Sequence, residues 1–561
     1  MFASLIYAFG IISFALAWLA NDHYRPWVNF HSEALALLGL GLLLVSFAFQ
    51  RRSMPARAPY AAAWVLLLSI LPWLQYAVGL SLFAGDALIT SLYLFSFGAA
   101  IWLGYGYTVS LPSNMKALTP IFYVLWLVAL ASAAIGLIQW LVLTDPFTVY
   151  VVQADSADSN RAMGNLGQPN QLATLLLIGI ACLLWTYEQR HISASGLLCG
   201  TLLLTMSLVF TQSRAGMFSA LLMAVFLTLK NQHNALRLRR RYILVWLVAF
   251  MTAVLLLPVV HDLLLMSSSR GSVRLSDGAR SIMWSQVLAG ISQSPWFGYG
   301  WNQTPAAHAA GSIAFPGSLT FTYAHNIVLD LVAWNGVPIG LLLSAVCVWW
   351  FYSRIKAAKD SNSIYAMACL LPIATHSLFE FPFAYSYFLV ASGLMVGIVE
   401  GSRPEVKTVK LNIQLVFASL ALWFVVGTYI VYEYILVEED FRVVRFENLR
   451  LGRTPTGYEM PNIWMLSHMG AMLNAGRQQA VPGMSSAEIE NLRKVSQKFP
   501  YGALSFRYTM ALALNGQPVA ATRQMAIIRG MYGERYYQGA VSVLREQQQE
   551  KYPELAKVLT P

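Results

Sequence analysis

The stretch GNLGQPNQLATLLLIGIACLLWTYEQR, residues 164–190, decides the class of fold. A polar, glycine-bearing approach leads into an apolar run that continues to Trp185 and closes on Glu188 and Arg190. Roughly 20 mainly apolar residues are needed for a helix to cross the hydrocarbon of a bilayer, and 171–187 reads as such a span. Working outward, similar runs occur near 2–20, 32–49, 60–78, 87–107, 117–143, 194–211, 214–229, 242–260, 325–351, 363–379, 383–399 and 412–433. Composition agrees: 57% of residues are hydrophobic, 11% are charged and the mean hydropathy is +0.55, whereas a soluble domain is about 25% charged. The expected fold is an all-α polytopic membrane protein with about 13 transmembrane helices (12–14).

Charge then orients the spans. With the N-terminus inside, inner loops hold Arg51, Arg52 and Arg57; Lys116; Arg190; Lys230, Arg237, Arg239, Arg240 and Arg241; Arg354, Lys356 and Lys359; and Arg403, Lys407 and Lys410. Outer loops receive no lysine and six arginines: Arg25, Arg161, Arg214, Arg270, Arg274 and Arg280. This asymmetry predicts an N-in, C-out arrangement. The net charge of +11 is thus partly an orientation signal, and no nucleic-acid partner is needed to explain it. No Lys or Arg precedes Arg25, so the first apolar stretch reads as a retained anchor, not a cleaved signal peptide. Cys182, Cys199, Cys347 and Cys369 all lie in spans and read as small apolar residues.

Two long segments, 144–170 and 261–324, fall on the outer side. Structured loops of that length are usually functional. Beyond residue 433 the hydropathy drops, which divides the chain into a transmembrane domain, 1–433, and a soluble outer helical domain, 434–561. Helical patterning at 487–498, 504–514 and 519–529, with a turn at Asn515–Gly516, resembles a tetratricopeptide hairpin.

The polar motifs converge on the outer face. GNLGQPNQLA (164–173) presents Asn165, Gln168, Asn170 and Gln171 where a chain enters a span, and such side chains face a bundle interior or a wet cavity. FTQSRAG (210–216) sets Arg214 at a tight turn, with Ala215 and Gly216 permitting close helix approach; this places a buried arginine there. Residues 280–300 read as a membrane-surface helix bearing Arg280, ended by an aromatic, Gly-rich turn. HNIVLDLVAWNGVPIG (325–340) opens a span on His325, with Asp330 inside it and Gly336 and Gly340 forming a small-residue packing face. HSLFEFPFAYSYF (376–388) places His376 and Glu380 four apart, followed by Tyr385 and Tyr387. Arginine is suited to phosphate through its planar fork of donors, so an arginine-only outer face suggests a substrate carried on a lipid phosphate. No nucleotide-binding loop and no histidine–cysteine metal cluster appears. The D-x-x-D pair Asp155 and Asp158 is no more than a polar loop gives by chance, and no metal is expected.

At these motifs the chain resembles the O-antigen ligase/polymerase superfamily of integral membrane glycosyltransferases. More narrowly it resembles the bacterial protein O-oligosaccharyltransferases, the pilin-glycosylation ligases of PglL type. GNLGQPNQ together with HSLFEFPF carries the narrower likeness; SRAG and the long loop carry the wider one. The resemblance implies en bloc transfer of an oligosaccharide from undecaprenyl diphosphate to serine or threonine hydroxyls of a periplasmic or pilin-like protein. It implies no cofactor and a multi-pass location in the bacterial inner membrane, with the N-terminus cytoplasmic and the active site and C-terminal domain periplasmic. It further implies His325 as the foremost catalytic residue, one of Gln168 and Gln171, and one of Tyr385 and Tyr387, as essential. Arg214 and Arg280, joined by Arg270 and Arg274, would hold the diphosphate. Either His325 or Glu380 would take the acceptor proton, and His325 could instead bind phosphate. The rival readings are ligation of the glycan to lipid A-core and transport of the lipid-linked glycan. Transport predicts polar sites near the midplane, whereas these motifs gather at one face.

Overall fold

The computed structural model describes residues 2–51, 56–109, 115–144, 146, 148–152, 161–232, 236–264, 277–451, 454 and 456–559. Arg270, Arg274, Asp155 and Asp158 lie outside the described residues. The chain is built of helices α1 (Phe2–Leu19), α2 (Phe30–Arg51), α3 (Tyr60–Leu68), α4 (Leu71–Ala77), α5 (Ala84–Val109), α6 (Met115–Trp140), α7 (Pro169–Glu188), α8 (Ala194–Phe210), α9 (Arg214–Lys230) and α10 (Arg240–Leu263). There follow α11 (Asp277–Gln293), α12 (Thr304–Gly311), α13 (Ile327–Ala357), α14 (Ser361–His376), α15 (Ser386–Gly401) and α16 (Ile413–Asn448). The last helices are α17 (Ser467–Arg477), α18 (Ser486–Lys498), α19 (Gly502–Leu514), α20 (Pro518–Glu550) and α21 (Ala556–Leu559).

Among the described residues nine segments are long and apolar enough to cross a membrane: α1, α2, the α3–α4 segment, α5, α6, α7, α10, α13 and α16. The remaining predicted spans fall on α8, α9, α14 and α15, which have 16 or 17 residues. At 1.5 Å per residue these reach about 24–26 Å, short of the roughly 30 Å hydrocarbon layer. The span expected at 60–78 is interrupted at Ser69–Ile70, with Pro72 in the first turn of α4, where its missing N–H costs no hydrogen bond.

The chain divides into two compact units, one of residues 1–69, 93–274 and 348–427, the other of residues 70–92, 275–347 and 428–561. In the first, α7 is the central helix: sixteen of its twenty residues are buried, so it is apolar on every side because every side is packed. Helices α6, α8, α9 and α14 surround it. Past its C-terminal end the basic loops meet one another. The Arg237 guanidinium donates to Tyr187 O at 2.7 Å and the Lys230 ammonium to Ala358 O at 2.9 Å. Arg354 and Arg403 both pair with buried Glu400, at 2.5 and 3.3 Å. Strands β1 (Ala56–Pro59) and β2 (Thr408–Leu411) form an antiparallel ladder with Arg57 opposite Lys410. Five loops that the charge pattern assigned to one side therefore cluster in space.

In the second unit, α11 and α12 approach backbone to backbone, with Gly290 against Ala307 O and Gly311 against Gln286 O. Helix α13 is broken at Gly336 (φ 76°, ψ 167°), which corrects the expected packing face of Gly336 and Gly340. The cause is Pro338, whose ring excludes the carbonyl four residues back and which has no N–H to donate. That carbonyl, on Trp334, is taken instead by Gly300 N at 3.1 Å and Gln75 Nε2 at 3.2 Å. Tyr299 N donates to Ala333 O, and Val337 N to Pro295 O. The aromatic turn at 295–300 is thus the hydrogen-bonding partner of the helix break. Helices α17 to α20 pack each on the next. Glu433 of α16 accepts three backbone N–H groups, from Trp464, Met465 and Leu466, at 2.6–3.1 Å. Arg477 at the end of α17 grips Asp440 at 2.7 Å and Glu447 at 2.8 Å.

Two outcomes follow from this packing. Gly336→Ala should lower the unfolding temperature of the detergent-solubilised protein, because its Cβ would lie 2.2 Å from Trp296 O at a positive φ that alone costs roughly 1–2 kcal/mol. Burial pushes the His468 imidazole down to about 4 and that of His308, stacked on Phe321, to about 3. The unfolded side chain titrates near 6.5. Between about pH 6.5 and 4 the unfolded chain therefore binds protons that the fold excludes, and stability should fall as the pH is lowered through that window. Melting curves at pH 7.5 and 5 test this, with His468→Gln expected to flatten the dependence.

Candidate active site

The 161–168 loop is stitched to three neighbours before it enters α7. Gln139 of α6 accepts from Met163 N and Gly164 N and donates to Val152 O and Gly164 O, at 2.8–3.0 Å. Asn165 donates to Leu19 O and Tyr150 O, both at 2.8 Å, and accepts from Val152 N at 3.2 Å. Arg161 caps the end of α8 through Thr211 O at 2.9 Å, a favourable place for a cation. Gly164 (φ 61°) and Gly167 (φ 72°) make the tight path, and Pro169 starts the helix.

Three polar motifs meet at this end of α7. Ser213 caps α9 by accepting from Gly216 N at 2.9 Å and donates to Asn170 Oδ1 at 2.7 Å. Asn170 Nδ2 donates to Glu380 Oε1 at 3.4 Å. One turn on, Thr174 and His376 Nδ1 share a hydrogen bond at 2.9 Å. His376 and Glu380, expected to share a helix face, straddle the end of α14 and each reach across to α7. Gly216 lies directly over Ala173, so the small residue of SRAG does bring α9 against α7. Arg214 itself, expected to be buried, is exposed as the first residue of α9.

The two paired candidates separate by burial. Gln171 is buried and accepts from the buried Tyr387 hydroxyl at 2.8 Å. Gln168 is half-buried and its side chain makes no cap bond at the start of α7. Tyr385 is half-buried and stacked with Tyr387 at 5.5 Å. Sequence reasoning missed Asn29 and Glu33. Glu33 is a buried carboxylate in the first turn of α2, near enough to Tyr385 and Tyr387 to act on both electrostatically. An acidic residue inside an apolar span was the available signal.

Arg280 and His325 belong to the second unit. Arg280 is half-buried in the first turn of α11, and His325 is half-buried with φ 52°, a conformation uncommon outside glycine. Asn326 begins α13, its Oδ1 accepting from Val328 N at 3.0 Å and Leu329 N at 3.2 Å. Arg270 and Arg274 are not among the described residues.

Comparison with known proteins agrees with this arrangement. Residues 162–187, the loop and α7, match a family model described as protein glycosylation ligase. Residues 199–344 match O-antigen ligase, and 364–547 match the C-terminal part of a virulence-factor membrane-bound polymerase. A general O-oligosaccharyltransferase of Acinetobacter baylyi is 28% identical over 536 residues, 93% of this chain and 91% of that one. A ComP-specific O-oligosaccharyltransferase of the same organism is 28% identical over 376 residues, 66% of each chain. The molecule is therefore a multi-pass membrane glycosyltransferase. Its sequence is similar to the PglL-type O-oligosaccharyltransferases and to the O-antigen ligases.

The burial difference has a measurable consequence. Tyr387→Phe should cost about 1–3 kcal/mol of stability, since it leaves the buried Gln171 oxygen short of a donor. Gln168→Ala should leave the melting temperature within about 1 °C, as expected of a surface change, while lowering transfer. Unfolding and activity assays on the same preparations distinguish them.

Proposed function

We propose that this enzyme performs O-linked protein glycosylation by moving an oligosaccharide en bloc from undecaprenyl diphosphate to serine or threonine hydroxyls of pilin-like or other exported proteins. The reaction takes place on the periplasmic face of the bacterial inner membrane, with thirteen spans and the N-terminus in the cytoplasm. The observation that carries this reading is the junction of Asn170, Ser213 and Glu380 beside Arg214 and Tyr385, at the end of α7 opposite the basic loops. It joins the region matched by the glycosylation-ligase model to the arginine turn. The names of the two relatives support a protein acceptor.

The bond broken joins the anomeric carbon to the diphosphate, and the bond formed joins that carbon to the acceptor oxygen. The hydroxyl proton passes to His325 or Glu380, and the diphosphate departs with its charge met by Arg214 and Arg280, with Arg270 and Arg274 from the same outer loop. Preorganised donors of this kind contribute roughly 2.7–4 kcal/mol each to such a step. Gln168 and Tyr385, the half-buried members of their pairs, contact the substrate; Gln171 and Tyr387 hold them. Residues 434–561 form a periplasmic domain of tetratricopeptide-like helix pairs that receives the acceptor chain.

Arg214→Lys and Arg280→Lys should both impair transfer, since lysine keeps the charge but loses the two-pronged contact with phosphate. His325→Ala should abolish it with expression unchanged. In a host deleted for this protein, intact-mass analysis should show exported glycoproteins losing their glycan while lipopolysaccharide keeps its O-antigen. Loss of the O-antigen with glycoproteins intact would replace this reading by ligation to lipid A-core.

A further inference from the structure

His325 sits between two residues whose backbones are held from opposite directions. On its N-terminal side, the Ala324 N–H donates to Asp330 Oδ1 at 2.9 Å, and the Ala324 carbonyl accepts from Trp284 Nε1 at 3.0 Å. Both polar groups of one residue are therefore spent on side chains from other elements. On its C-terminal side Asn326 is committed to the start of α13. The histidine between them adopts a left-handed conformation, which a bulky residue keeps only where its surroundings over-determine it.

Asp330 is fully buried, an expensive place for a carboxylate. Its Oδ1 also accepts from Thr304 Oγ1 at 2.7 Å, and Thr304 Oγ1 accepts from Trp334 Nε1 at 2.7 Å. Trp334, Thr304 and Asp330 thus form a chain of hydrogen bonds that ends on the Ala324 amide. Trp284 lies one turn from Arg280 on α11, so the indole that holds the Ala324 carbonyl also fixes this helix against the turn. A buried acid serving stability alone need not end on the residue preceding His325, nor need its target be gripped a second time.

We propose that Asp330 and Trp284 are positioning residues for His325, holding the Ala324 peptide so that the imidazole keeps its strained, productive orientation. The inference rests on the catalytic role given to His325 above, and the experiment separates the two. Purified full-length variants are assayed with a lipid-diphosphate-linked glycan and an acceptor protein, and the reactivity of His325 towards diethyl pyrocarbonate is followed by peptide mass spectrometry. Trp284→Phe keeps the ring and loses only the N–H. It should lower kcat about 10-fold with KM for the donor little changed, since a displacement of about 1 Å at a reacting group costs up to about 100-fold. Asp330→Ala should lose more, and Asp330→Asn, which retains an acceptor oxygen, should recover most of it. Carbethoxylation of His325 should change rate in Trp284→Phe and Asp330→Ala and not in Asp330→Asn. If His325→Ala is inactive while Trp284→Phe keeps wild-type kcat and labelling rate, the positioning role is wrong and the catalytic one stands. If His325→Ala is active, the catalytic role falls and takes this one with it. Should Asp330→Ala fail to fold, Trp284→Phe alone decides.

Discussion

Every backbone N–H and C=O that lies at membrane depth must find a partner inside the protein, because lipid offers none. That constraint makes the chain helical wherever it crosses, and it confines irregular backbone to places where other groups stand ready to satisfy it. Two such places among the described residues have identifiable partners. Gln139 takes up both N–H groups and a carbonyl of the 163–164 turn. Gln75 and the Gly300 amide take up the carbonyl that Pro338 releases in α13, and the Tyr299 amide takes the one before it. The chemically interesting segments are the interrupted ones, since only there can side chains and backbone face a substrate.

The cost of this solution shows in how the amides are used. A buried amide left without a partner costs about 1–3 kcal/mol, and two amides of the 164–173 motif that enter the packed region are hydrogen-bonded. Asn165 makes three bonds to loops and helix ends, and Gln171 is held by the Tyr387 hydroxyl. Gln168, at the rim, makes no cap bond and is half-exposed. Residues of one chemical type in one motif thus divide into those committed to internal hydrogen bonds and those at the rim.

The C-terminal helices obey the same logic. They are not strung loosely on the chain. Glu433 and Arg477 tie α17 to α16 at both ends, and the Gly530 carbonyl accepts from Gly317 N at 2.8 Å and from Gln286 of α11 at 3.4 Å. A Cβ at Gly530 would lie 2.3 Å from Ser312 O, so that position must be glycine for the contact to form. The helix that carries Arg280 is therefore packed against the tail as well as against α12, and the two cannot be altered independently.

Hydropathy alone determined the helical membrane class and the location of the nine long apolar segments among the described residues, and charge picked out basic loops that cluster together, because these depend on residue type summed over about 20 positions. Local motifs also read correctly where the chemistry is local: the glycines of 164–167 as a tight path, and Gly216 as a point of close approach. What the sequence could not decide was anything set by a partner far along the chain. Gln171 differs from Gln168 only because Tyr387, 216 residues away, donates to it. Ser213 meets Asn170, 43 residues back, only in the folded chain. Gly336 looked like a packing residue until the carbonyl freed by Pro338 was seen paired with Gly300 and Gln75. In each case the deciding quantity is a hydrogen bond between distant residues, and such bonds exist only once tertiary packing has chosen their partners.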